Sequence, residues 1–165
     1  MNHDDEIIAT RVAELAQLLE PRGLRISTAE SCTGGWLAKC LTDRPGSSAW
    51  FEFGFVTYGN NAKLALLGVS RETLAMNGAV SQAVAEEMAR GARQVSGADL
   101  AVAITGVAGP AGGSADKPVG TVWLAWAGPG DLAGAELRNF PGDRAAVRSQ
   151  AVAAALDGTI ARLAG

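Results

Sequence analysis

The chain has 165 residues, 48% of them hydrophobic and 19% charged, with a formal net charge of −3. This composition excludes a disordered chain and suits one domain with a substantial core, over residues 1–165. The acidic balance argues against nucleic acid as a partner, and no apolar run approaches a membrane span.

In chain order, Ile8, Val12, Leu15 and Leu19 fall three and four residues apart. This spacing predicts an amphipathic helix over 7–20, ended by Pro21 and Gly23. Residues 24–28 alternate apolar and polar and read as a short strand. The polar octet Thr28-Ala29-Glu30-Ser31-Cys32-Thr33-Gly34-Gly35 then crosses into a helix over about 33–41. Residues 43–48 form a turn, and the aromatic, β-branched run 51–58 a strand. A short helix over 64–68 stops at Gly68, and a brief one covers 71–77. The next, over 82–96, is capped by Ser81 and buries Val84, Met88 and Val95. Residues 99–105 read as a buried central strand that opens onto the glycine-rich segment 106–118. Strands over 119–127 and 133–140 follow, the second edge-like. Gly142-Asp143-Arg144 introduces a last helix to about Leu163, with Val147, Ala151, Ala154, Ile160 and Leu163 facing in. Helices before, between and after the strands predict a three-layer α/β/α sandwich with a mixed sheet.

The acidic start, Met1 to Glu6, has no apolar core behind it and is no signal peptide, so a cytoplasmic location is expected. Cys32 and Cys40, on one helix roughly 12 Å apart by helical rise, are beyond disulfide reach. Without a CxxC pair or a histidine cluster they provide no metal site. The only histidine is His3, in the terminal segment. A serine or cysteine nucleophile with an imidazole base is therefore not expected, and any nucleophile needs another base.

Three segments are polar or glycine-rich where the fold requires neither: the Ser31 turn, residues 58–63 and residues 106–118. Each follows a predicted strand, and open α/β sheets place ligands at strand C-terminal ends. Ser31 is the candidate nucleophile; taken alone, Ser31 and Thr33 also suit helix caps. Lys63, at the start of a helix, is the candidate base, provided burial holds its pKa well below the ordinary lysine value of roughly 10.4. Otherwise it is a solvated surface lysine. Tyr58, the only tyrosine, either relays the proton or holds the lysine, or it is a strand aromatic with its hydroxyl in water. Glycines 106, 109, 112 and 113 can expose backbone N–H groups as a nest for an anion or oxyanion; the alternative is a flexible hairpin loop. Ser114-Ala115-Asp116-Lys117 fits S-x-x-K, but Pro118 pushes Lys117 out of the helical geometry that motif needs. Cys32 reads as a buried, inert thiol rather than a rival nucleophile. Arg144 and Arg148, one helical turn apart, either share an anionic group or are solvated.

These segments together resemble the CinA C-terminal-domain family, the nicotinamide-nucleotide amidohydrolases. The resemblance lies in the octet ending at Gly35, in Val56-Thr57-Tyr58 with Asn61-Ala62-Lys63, in Gly78-Ala79-Val80-Ser81, in Thr105-Gly106-Val107-Ala108-Gly109-Pro110, in Lys117-Pro118-Val119-Gly120-Thr121-Val122 and in Gly142-Asp143-Arg144. Gly59 departs from the small polar residue expected after the tyrosine. The resemblance implies hydrolysis of the carboxamide of nicotinamide mononucleotide to nicotinate mononucleotide and ammonia, with no metal or organic cofactor. It implies a catalytic set of Ser31, Lys63 and Tyr58. The substrate-binding set expected with it is Glu30, Thr33, Gly34, Thr105, Gly106, Gly109, Gly112 and Arg144, with the glycine nest and an arginine on the 5′-phosphate. It also implies a homodimer. Many relatives carry a further N-terminal domain, whose activities are not expected of this chain. Two other readings remain at this point: a nucleotide-binding module without chemistry, and a serine amidase for another small amide.

Overall fold

The computed structural model describes residues 1–165. Five strands, β1 (Ile26–Glu30), β2 (Phe51–Val56), β3 (Leu100–Gly106), β4 (Thr121–Ala127) and β5 (Gly134–Asn139), form one sheet in the order β2-β1-β3-β4-β5. β1 pairs in parallel with both β2 and β3, whereas β4 and β5 continue antiparallel. The mixed sheet expected from the sequence is thus observed, with β5 at an edge.

Residue size decides what covers each face. Along β3 and β4, Leu100, Val102, Ile104, Val122, Leu124 and Trp126 alternate with Ala101, Ala103, Ala125 and Ala127, and in a strand alternate side chains point to opposite faces. The large set packs with α1 (His3–Leu19), α2 (Trp36–Thr42) and α6 (Arg144–Ala164). The alanine set, with Ala29, lies under α5 (Gln82–Ser96), joined by Leu67 of α3 (Asn60–Leu67) and partly by Leu74 of α4 (Arg71–Asn77). Helices on both faces complete the three layers, and no helix is long and apolar enough to cross a membrane.

The helix boundaries follow their caps. α1 begins four residues before the expected start, because the Asn2 side chain accepts from the Asp5 N–H and Asp5 accepts from the Asn2 N–H. This capping box turns an apparently loose acidic tail into a first turn. α3 likewise starts at Asn60 rather than at Leu64, so Lys63 is its fourth residue. Ser81 caps α5 as read, and Asp143 caps α6. Val95 does not join the buried stripe of α5: Val84, Ala85, Met88, Ala89 and Ala92 do, and Val95, in the last turn, is 55% exposed.

Candidate active site

Because β1, β2 and β3 are parallel, their C-terminal ends open on one edge of the sheet. The three chemically conspicuous segments therefore meet there. The sheet order places β1 between β2 and β3, with the β1–β2 connection through α2 on one face and the β2–β3 connection through α3, α4 and α5 on the other, and crevices form in open α/β sheets at such switch points. A cleft of about 310 Å³ occupies this point, lined by Ser31, Cys32, Tyr58, Asn60 and Lys63, by Ala79 and Val80, by the segment from Thr105 to Gly109, by Ala111 and Gly112, and by Arg144.

Ser31 is the residue immediately after β1. Its N–H donates to the Ile104 carbonyl at 2.9 Å, and the next residue of the β2 side, Thr57, donates its N–H to the Glu30 carbonyl at 2.8 Å. Both neighbouring strands thus hold the backbone at Glu30 and Ser31. The chain then reverses through Gly34 and Gly35, at φ 58° and 100°, a left-handed pair that side chains rarely adopt. This turn lets α2 begin at Trp36.

Lys63 is 1% exposed. Its Nζ lies 3.1 Å from Ser31 Oγ, 2.7 Å from the Thr57 carbonyl oxygen and 3.1 Å from the Tyr58 carbonyl oxygen. Burial holds its pKa below the ordinary lysine value, opposed only weakly by the Cys32 thiol. A neutral amine has two N–H donors and one lone pair. As an ammonium, Lys63 donates to Ser31 Oγ and to both carbonyls; once neutral, with its two N–H groups on the two carbonyls, it would turn its lone pair to the serine hydroxyl. Cys32 beside it is a poor competitor: burial pushes its thiol up to about 11.

Tyr58 touches the pair through its main-chain carbonyl. Its side chain is 61% exposed, and its hydroxyl accepts a hydrogen bond from Arg144 at 3.2 Å. Arg144 also donates to the Gly109 carbonyl at 2.7 Å, tying the glycine-rich segment to the opposite lip of the cleft. That segment is a folded loop rather than a loose hairpin. Ser114 and Lys117 bond each other in a tight turn, Lys117 Nζ donates to the Asn77 carbonyl at 2.7 Å, and Thr105 Oγ1 donates to the Ala79 carbonyl at 2.9 Å. The N–H groups of Ala108, Gly109, Ala111 and Gly112 have no partner within the protein.

Of the expected substrate-binding set, Thr105, Gly106, Gly109, Gly112 and Arg144 line the cleft, and Glu30, Thr33 and Gly34 do not. Glu30 is fully buried. Its carboxylate accepts from Thr33 Oγ1 at 2.7 Å and from the N–H groups of Leu37 and Ala38 at 2.8 and 3.0 Å, which satisfies the start of α2. The guanidinium groups of Arg144 and Arg148 are engaged with different loops, and both residues line a second pocket beside Ala108 and Pro110. Arg148 donates to the carbonyls of Cys32 and Thr33 at 3.1 and 3.2 Å and lies 5.5 Å from the ring centroid of Trp36. Asn60, Ala79 and Val80 line the cleft without having been singled out from the sequence as site residues. The N–H-exposing start of α3 and the Gly78-Ala79-Val80-Ser81 stretch were the available signals for them. No three His, Cys, Asp or Glu side chains converge as a metal site requires.

Several similar proteins bear the name nicotinamide-nucleotide amidohydrolase PncC. That of Escherichia coli (strain K12) is 57% identical over 143 residues, covering 87% of each chain. That of Pseudomonas putida is 55% identical over 153 residues, covering 93% of this chain and 95% of its own. The solved structure of the competence/damage inducible protein CihA from Agrobacterium tumefaciens superposes with a TM-score of 0.90 at 45% identity, covering 98% of this chain and 97% of that one. Residues 8–163 match the model of the CinA C-terminal domain, and the chain belongs to that family.

Proposed function

We propose that this chain is a nicotinamide-nucleotide amidohydrolase, hydrolysing the carboxamide of nicotinamide mononucleotide to nicotinate mononucleotide and ammonia. The observation that carries the reading is the buried Lys63 amine 3.1 Å from Ser31 Oγ on the wall of a cleft, in a chain 57% identical to a protein of that name.

Lys63, neutral in its buried site, takes the Ser31 proton as Oγ attacks the carboxamide carbon. The negative charge that develops on the carboxamide oxygen is met by backbone N–H groups of the Ser31 turn, where those of Cys32 and Thr33 have no partner within the protein. The Ser31 N–H is committed to Ile104 and the Val107 N–H to Thr121, so neither serves. Protonated Lys63 returns its proton to the leaving nitrogen, ammonia departs, and water attacks the acyl-enzyme with Lys63 again as base. Tyr58 assists through its carbonyl, which holds the amine, and through its hydroxyl, which anchors Arg144. The 5′-phosphate is held by Arg144 and the unpartnered N–H groups of the glycine-rich loop. Phosphate binding there makes free nicotinamide a poor substrate.

The test is ammonia release from nicotinamide mononucleotide and from nicotinamide by the wild type, Ser31→Ala and Cys32→Ala. Turnover of the nucleotide that is lost only in Ser31→Ala supports both the reaction and its nucleophile. Loss in Cys32→Ala instead moves the nucleophile by one residue. Equal efficiency on nicotinamide refutes the phosphate assignment. Nucleotide binding without ammonia release makes the chain a binding module, and release from other small amides alone makes it an amidase of a different substrate.

A further inference from the structure

The turn that carries the two unpartnered N–H groups is braced from outside by one side chain. Arg148, on the second turn of α6, donates Nε to the Cys32 carbonyl and a terminal nitrogen to the Thr33 carbonyl, at 3.1 and 3.2 Å. Its guanidinium lies over Trp36, the first residue of α2, with 5.5 Å to the ring centroid. It therefore spans the turn from the nucleophile's neighbour to the helix start.

Peptide planarity converts this grip into an orientation of the donors. A carbonyl fixed in space fixes the N–H of the following residue, which points the opposite way. Holding the Cys32 carbonyl thus sets the direction of the Thr33 N–H. Holding the Thr33 carbonyl sets the Gly34 N–H, which donates to the Ser31 carbonyl at 3.1 Å. That bond in turn fixes the peptide between Ser31 and Cys32, and with it the Cys32 N–H. Both unpartnered donors beside Ser31 are therefore aimed, directly or through one bond, by the same guanidinium. A positive charge on the carbonyl side of these peptides also polarises them, making their N–H groups stronger donors. The glycines of the turn make the brace necessary: at φ 58° and 100°, Gly34 and Gly35 contribute no side chain that would restrict the loop by packing.

We infer that Arg148 is a positioning residue for the reaction, one that orients the Cys32 and Thr33 N–H groups as the oxyanion site next to Ser31. This rests on the reading of Ser31 as an acylated nucleophile, but not on which amide is the substrate. Arg148 makes no contact with the Ser31–Lys63 pair, so its removal affects the donors and leaves the base in place.

The experiment combines steady-state kinetics on nicotinamide mononucleotide with the rate at which a fluorophosphonate labels Ser31, a reaction in which Oγ displaces fluoride while the phosphoryl oxygen occupies the oxyanion position. Arg148→Met keeps the length and apolar body of the side chain and removes both hydrogen bonds. Loss of a single oxyanion donor costs about a hundredfold to a thousandfold, and loosening both rather than deleting them is expected to lower kcat and the labelling rate by about tenfold or more. KM is expected to stay within about twofold, and the pH at half-maximal rate to stay unchanged. Arg148→Lys, which reaches one carbonyl at a time, is expected to fall between. In Arg148→Ala, added millimolar guanidinium is expected to restore kcat without altering KM. Circular dichroism establishes that each variant is folded; should Arg148→Met not fold, the lysine variant and the guanidinium rescue decide.

Unchanged labelling and kcat, a rise in KM alone, a shift of the pH midpoint, or failure of both the lysine variant and guanidinium to recover rate each overturn the inference. A wild type that labels at Ser31 but releases no ammonia from the nucleotide refutes the substrate reading instead, and the labelling comparison still decides the role of Arg148.

Discussion

Replacing Lys63 by methionine exposes the property on which the proposed chemistry depends, an amine whose pKa is held down by burial. Lys63 is 1% exposed and its pKa is lowered by desolvation. The unfolded chain therefore keeps the lysine proton at pH values where the folded chain has released it. Below the lowered folded pKa both states are protonated and the penalty of burying the ammonium is present in full. Between that pKa and the ordinary value of roughly 10.4 the unfolded state binds one more proton, so stability rises with pH, by up to about 1.4 kcal/mol per pH unit. Above the window both states are neutral and the penalty has gone. Lys63→Met abolishes this titration. It also leaves the Thr57 and Tyr58 carbonyls without their donor, but that loss does not depend on pH. The difference in unfolding free energy between wild type and Lys63→Met thus isolates the lysine. Cys32 and Cys40, both pushed up to about 11 by burial, are common to the two proteins and largely cancel. Urea unfolding followed from about pH 7 to about pH 10 measures that difference. Wild type is expected to gain on the variant as pH rises through the window, while the variant shows no turnover at any pH. A difference that stays flat across this range means that Lys63 titrates as an ordinary lysine when folded, and it removes Lys63 as the base.

Two further substitutions test neighbouring parts of the argument. Tyr58→Phe keeps the carbonyl that holds Lys63 and deletes only the hydroxyl bonded to Arg144. It is expected to lower kcat by less than about tenfold, whereas general acid–base relays contribute about a hundredfold or more; a loss of that size would put the phenol in the proton path. Gly91→Ala places a Cβ 1.9 Å from the Leu67 carbonyl oxygen, in the seam between α5 and the end of α3. Overpacking of this kind costs about 1–3 kcal/mol, seen as a lower urea midpoint, and the displaced α3 carries Lys63, so turnover is expected to fall with stability. An unchanged midpoint would mean that the two helices separate without strain.

Much of the fold was legible because hydrophobic periodicity survives in a single sequence. The stripe Ile8, Val12, Leu15 and Leu19 is buried as its spacing required, and Val147, Ala151, Ala154 and Leu163 are buried on α6. Boundaries were less legible where polar residues start a helix, as at Asn2–Asp5 and at Asn60. The misreading of Val95 has a related cause: periodicity extends a stripe to the end of a helix whether or not a strand lies beneath its last turn. The meeting of Ser31, Lys63 and the glycine-rich loop depended on something no local pattern carries, the parallel arrangement of β1, β2 and β3. What Tyr58 offers was illegible for another reason. The strand ends at Val56, so its alternation no longer fixes where the next side chains point.

One signal was present in the octet and decides the division of labour around it. Neighbouring residues of an extended segment point to opposite faces, so Glu30 and Ser31 cannot both face the same ligand. Ile26, Thr28 and Glu30 share a face, and Glu30 reaches the N–H groups of α2 there. Ser27, Ala29 and Ser31 share the other, where Ala29 packs with α5 and where Lys63 arrives from α3. Lys63 and Ser31 thus belong to one side of the sheet. The groups that hold the turn rigid, Glu30 at the start of α2 and Arg148 from α6, belong to the other. This separation keeps the Glu30 carboxylate and the Arg148 guanidinium on the side away from Lys63, and leaves Arg144 as the guanidinium that reaches the cleft. A carboxylate beside Nζ would stabilise the ammonium and raise its pKa. The alternating face of a five-residue strand, Ile26–Glu30, is therefore what allows an ionic brace and a buried lysine to stand within one turn of the same serine.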